Sequence, residues 1–145
     1  MAHIYVSRVI EAPVEQVWSV ARDFTGNWHS SVIANSKIED GQPSDKVGCV
    51  RSFSLAQGEG DLREQLVGLS DERHEFAYRI LESPLPVSDY HAVARFTAIT
   101  MSGHTFGEWW VDFRVAPEEE ADTVELVRGV FENGLSDLAR LTASG

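Results

Sequence analysis

Toward the end of the chain the apolar residues fall at Val124, Val127, Val130, Phe131, Leu135, Leu138 and Leu141, the three-and-four spacing that lines one side of a helix. Arg128, Glu132, Ser136 and Arg140 fill the opposite side. Pro117 and the acids Glu118 to Glu120 precede the stripe, and Asp122 stands three residues before Glu125 in a capping-box arrangement. The pattern predicts a long amphipathic helix over 118–141. Burial is worth roughly 25 cal/mol per Å² of apolar surface, so a stripe of this length requires a concave apolar face from the rest of the chain. Gly129 and Gly134 interrupt the helix, each at a cost of up to about 1 kcal/mol relative to alanine. They leave a gap beside Phe131 and Leu135, open either to a ligand or to close packing against strands.

The preceding residues read as one strand, helical segments and a run of strands. Residues 3–10 alternate, with Ile4, Val6 and Ile10 on one face. Pro13 then opens a helix with Val14, Val17, Trp18, Ala21 and Phe24 on its apolar side, ended by Gly26, and a second short helix is expected over 27–33. Strands follow at 35–39, 48–54, 62–70, 74–81, 89–100 and 104–115, divided by turn-forming stretches. Short connections make consecutive strands antiparallel, so the expectation is an α+β domain: a curved seven-stranded antiparallel sheet around the final helix. Parity places Trp109, Val111 and Phe113 inward with Tyr90, Ala92, Ala94, Phe96, Phe76, Tyr78 and Ile80, and Trp110 outward. Leu62, Glu64 and Leu66 also face inward, which sets a carboxylate between two leucines.

The 145 residues suit one domain with its own core. A formal charge of -11 argues against nucleic acid or an anionic membrane as the main partner. The single cysteine, Cys49, excludes an internal disulfide framework. The start MAHIYVSRVIEAP holds neither a signal-peptide core nor a membrane span, so a soluble cytoplasmic protein without membrane insertion is expected. The five histidines lack paired ligand spacing and there is no phosphate loop, nucleophile elbow or dinucleotide fingerprint, so neither a metal nor a cofactor is expected.

The strings EAPVEQVWSVARDFTGNWH, VGCVRSF, REQLVGLSDERHEFAYRI, LPVSDYHA and FENGLSDLARL, in this order, resemble the helix-grip fold of the START and Bet v 1-like superfamily. The resemblance is nearest to the bacterial polyketide cyclase/dehydrase-type members, including the MxaD-like proteins, and covers nearly the whole chain. It implies a cavity for a hydrophobic small molecule between sheet and last helix. The plant abscisic acid receptors are similar over 47–141. That resemblance places the pocket glutamate on Glu64 and the pocket tyrosine on Tyr90. It also puts the anchoring lysine on or near Ala34, and so argues against reception of that hormone. The loops AQGEG and ESPLP take the places of gate and latch, Gly58 and Gly60 supplying freedom and Pro84 and Pro86 stiffness.

Glu64 is the leading candidate for chemistry, either as a general acid or base raised by its apolar surroundings or as the partner of Arg51 on the preceding strand. Tyr90 is a candidate anchor in the pocket. Tyr78 brings a second phenol, for orientation or for packing. His29 is either a proton donor at the cavity mouth or a surface histidine. Trp18, Phe24, Trp28, Trp109 and Phe131 read as an aromatic box beside Leu135, or individually as core. Two functions follow: a carrier or sensor of an aromatic or lipid-like molecule, or a cofactor-independent polyketide cyclase/dehydrase-type enzyme with Glu64 moving a proton. Trp110, with Val93 and Ile99 near it, marks a candidate homodimer surface.

Overall fold

A computed structural model describes residues 1–56 and 60–143. Its elements are β1 (Ala2–Ile10), α1 (Val14–Ala21), β2 (Ile33–Ile38), a 3-10 turn (Glu39–Gly41), β3 (Val50–Leu55), β4 (Asp61–Ser70), β5 (Glu75–Glu82), β6 (Val87–Ile99), β7 (His104–Val115) and α2 (Pro117–Thr142). The strands form one antiparallel sheet in the order β1-β7-β6-β5-β4-β3-β2. This is an α+β architecture in which a curved, open sheet holds the C-terminal helix, consistent with the helix-grip fold. From β2 to β7 each strand pairs with its sequence neighbour, as short connections require; β1 alone crosses over, to pair with β7.

Strand parity decides what the helix meets. Trp109, Val111, Phe113, Ala92, Ala94, Phe96, Leu66 and Tyr78 are buried on the concave face. From α2 they receive Val127, Phe131, Leu135 and Leu138. Trp109 and Phe131 stack with ring centroids 4.3 Å apart and planes 7° apart, the closest aromatic pair between sheet and helix. On the convex face Trp110 is covered by Tyr5, stacked at 6.4 Å, and by the Arg95 guanidinium at 5.0 Å.

Three expectations about the helices need correction. Residues 27–32 form a series of turns rather than a second short helix, and α1 ends at Ala21, so Phe24 lies beyond it. Asp122 and Glu125 are interior to α2, whose cap is Ala116 followed by Pro117; the capping box is not used. Leu141, the last member of the apolar stripe, is exposed. In each case tertiary partners or a few extra residues at a helix end override local pattern.

Candidate functional site

The centre of the site is a cross-strand pair. Arg51 on β3 lies directly opposite Glu64 on β4. Both side chains are about 5% exposed, and Arg51 donates to Glu64 Oε1 through Nε at 2.9 Å and Nη2 at 2.7 Å. Its Nη1 donates to the Phe24 carbonyl at 3.0 Å, and its guanidinium carbon stands 4.1 Å from the Phe24 ring centroid and 5.0 Å from that of Tyr78. Gly26, at φ 73°, makes this possible: a Cβ there would sit 2.9 Å from Arg51 Nη1. The chain turn after α1 therefore both carries the Phe24 contacts and leaves the room Arg51 needs. Burial pushes the Glu64 carboxyl above its ordinary value, and the Arg51 guanidinium pulls against that rise.

Two phenols adjoin the pair. Tyr78 accepts from Trp109 Nε1 at 3.2 Å, and Tyr90 lines the same cavity beside it. Both are pushed above the usual range, chiefly by burial, so they are neutral donors or acceptors rather than phenolates. His29 is buried as well. Its ring lies between Trp28, stacked at 5.0 Å, and Trp109, at 5.2 Å, with Nε2 3.2 Å from the Val130 carbonyl. Burial lowers its pKa to about 4, with Arg51 adding to the drop, so it is neutral near pH 7 and is not a surface histidine.

These groups line an inner cavity of about 30 Å³ together with Ile33, Phe53, Leu55, Leu62, Ile80, Leu85, Val127, Val130, Trp109 and Phe131. Outside it a largely apolar groove of about 400 Å³ runs along α2, lined by Val32, Leu55, Pro84, Leu85, Leu126, Gly129 and Val130 together with the polar Ser31, Glu125 and Asn133. Leu55, Leu85 and Val130 border both spaces. The two helix glycines have separate roles. Gly129 opens on the groove, with nothing within 4 Å of a Cβ placed there, whereas at Gly134 a Cβ would lie 2.2 Å from His29 Nε2 and 2.8 Å from Trp109.

Of the residues singled out in the sequence, Glu64, Arg51, Tyr78, Tyr90, His29, Trp109 and Phe131 converge on the cavity. Four lie away from it. Trp18 donates to Asp71 at 2.7 Å and packs on Phe76 and Phe96. Phe24 backs Arg51, Trp28 backs His29, and Leu135 is core. Sequence reading passed over Asp137, a buried carboxylate that accepts from the Ser31 amide at 3.1 Å, from the Ser31 hydroxyl and from Arg140. A carboxylate bordering the apolar stripe was the available signal. It also passed over Leu55, Leu85 and Val130. Leu55 directly precedes the loop compared with the gate and Leu85 lies within the loop compared with the latch; of AQGEG, residues 57–59 lie outside the described residues. Among the described residues no three of His, Cys, Asp and Glu gather as metal ligands would, and no helix is long and apolar enough to cross a membrane.

Comparison with known proteins places this geometry. Solved structures of similar proteins include one from Nitrosospira multiformis, 29% identical, with a TM-score of 0.85 over 99% of this chain and 97% of the other. An uncharacterised protein from Bacillus thuringiensis is 27% identical with a TM-score of 0.84, over 99% and 100% of the two chains. The protein XoxI from Bacillus cereus is 26% identical with a TM-score of 0.83, over 98% and 96%. The family model described as polyketide cyclase / dehydrase and lipid transport matches residues 1–143, so the chain belongs to that family.

Proposed function

We propose that this protein is a carrier or sensor working in the cytoplasm that binds a small apolar molecule, aromatic or lipid-like. The body of the molecule lies in the groove beside α2, and its polar end turns toward Glu64, Arg51, Tyr78 and Tyr90. The supporting observation is continuity: Leu55, Leu85 and Val130 border both an apolar groove of about 400 Å³ and a cavity holding a buried ion pair and two phenols. A groove of that size is in the range of small-molecule sites, while an inner space of about 30 Å³ takes only a small group.

Gly129→Leu tests the placement, because the added side chain meets open groove rather than protein. The variant should melt no lower than the parent and lose binding of a neutral hydrophobic dye such as Nile red; undiminished dye binding would remove the ligand from this groove.

An enzymatic reading has one observation in its favour, a carboxyl pushed up by burial beside two neutral phenols. In a cyclase/dehydrase-type reaction Glu64 would move the proton and Tyr90 or Tyr78 would hold the enolate. His29 suits proton donation poorly, since with a pKa of about 4 it carries no extra proton at neutral pH. Turnover separates the readings: an enzyme converts a poly-carbonyl substrate and loses that conversion in Glu64→Gln, whereas a carrier binds such a ligand without converting it.

A further inference from the structure

The polar end of the cavity lacks one partner. Both Arg51 donors to Glu64 fall on Oε1, and Oε2 takes no hydrogen bond from a described residue. Oε2 is nevertheless not sealed in: among the described residues the one buried side-chain polar atom both sealed and unpartnered is Trp28 Nε1. The space open beside Glu64 is the cavity of about 30 Å³, room for one water-sized group. Two neighbouring ring donors are already in use, Trp109 Nε1 on Tyr78 and the His29 ring on the Val130 carbonyl.

Charge at this end is balanced, one guanidinium against one carboxylate, with His29 neutral. A ligand carboxylate reaching the remaining Arg51 N–H groups would compete with Glu64 for one cation and leave a net negative charge buried. An ammonium would meet Arg51 and leave a net positive one. A neutral hydroxyl adds no charge and supplies the donor that Oε2 lacks, in a bond to an ionised acceptor, which is stronger than one between neutral groups.

We infer that the site selects ligands ending in a neutral hydroxyl, a phenol or an alcohol, inserted past Leu55, Leu85 and Val130 to donate to Glu64 Oε2. This rests on the binding reading above and names the ligand's polar end. The hydroxyl is the only part of the ligand that enters the inner cavity; the carbon body stays in the groove.

Four probes of one shape test it by isothermal titration calorimetry at neutral pH: naphthol, naphthoate, naphthylmethylammonium and naphthalene. Naphthol should bind at least about tenfold more tightly than each of the other three, the scale of one hydrogen bond to a charged acceptor. Naphthoate or the ammonium binding as well as naphthol would overturn the inference while leaving the groove as a binding site. Equal affinity for naphthol and naphthalene would do the same. No heat from any probe, together with Nile red binding unaffected by Gly129→Leu, would overturn the binding reading itself.

Discussion

Gly129 and Gly134 occupy one helix yet should respond oppositely to a methyl group. At Gly129 nothing stands within 4 Å of the added carbon, so Gly129→Ala should stabilise the fold by about 0.5–1 kcal/mol through helix propensity. At Gly134 the carbon would sit 2.2 Å from His29 Nε2, and that ring is held between Trp28 and Trp109. Gly134→Ala should destabilise by about 1–3 kcal/mol, the range for overpacking. Denaturant midpoints of the two variants check both signs, and a stabilised Gly134→Ala would mean that His29 moves freely. The same scale governs Arg51. Arg51→Met leaves Glu64 buried without its cation and should cost about 3–5 kcal/mol. The double substitution Arg51→Met, Glu64→Leu should recover most of that loss, since the penalty belongs to the uncompensated charge. A double variant no more stable than Arg51→Met would show that the phenols and the Phe24 contacts, rather than the charge, hold this region.

Elements differ in how much of them local pattern dictates. Strand parity was readable because alternation has a period of two, and one wrong step would have turned Trp109 outward. It placed Glu64, Tyr78 and Tyr90 on the concave face and Trp110 on the convex one, as found. Local pattern predicts a helix over 27–33, but the turns at 27–32 are set from elsewhere: Asp137 on α2 receives the Ser31 amide and hydroxyl, and the Val130 carbonyl receives His29. Cavity size was hidden for a similar reason. The gap left by Gly134 is filled by a histidine from a distant turn, and the spacing of α2 residues carries no trace of it. If Asp137 fixes that turn, Asp137→Ala should speed amide exchange across 28–33 by at least about tenfold while leaving β6 and β7 protected. Uniform acceleration throughout the sheet would instead make Asp137 a part of the global core.

At the scale of the whole molecule, the buried neutral histidine ties stability to pH. His29 has a pKa of about 4 when folded against 6.5 for an ordinary histidine. Between those values the unfolded chain binds a proton that the folded chain refuses. The contribution of His29 is therefore complete above pH 6.5 and is lost as pH falls toward 4, at up to about 1.4 kcal/mol per unit and on the order of 3 kcal/mol in all. The groups around it do not reverse this. Asp137 and the Val130 carbonyl favour the charged ring, Arg51 opposes it, and burial exceeds all three. Glu64 acts in the other direction: its folded pKa is raised, so its contribution is present at low pH and declines as pH rises above 4.5. Glu39, held at about 2 by Arg63 and Ser52, matters only below 4.5. The two opposing groups overlap just above pH 4.5, and the wild-type curve alone would mix them. His29→Gln removes one while leaving an amide N–H that can reach Val130. Urea unfolding of both proteins at a series of pH values gives the difference directly. The wild-type advantage should shrink steadily as pH falls from 6.5 to 4.5, whatever the absolute stability of the variant. A constant difference across that range would mean that His29 takes up its proton in the folded protein as readily as in the unfolded one, and that its place between Trp28 and Trp109 is open to water.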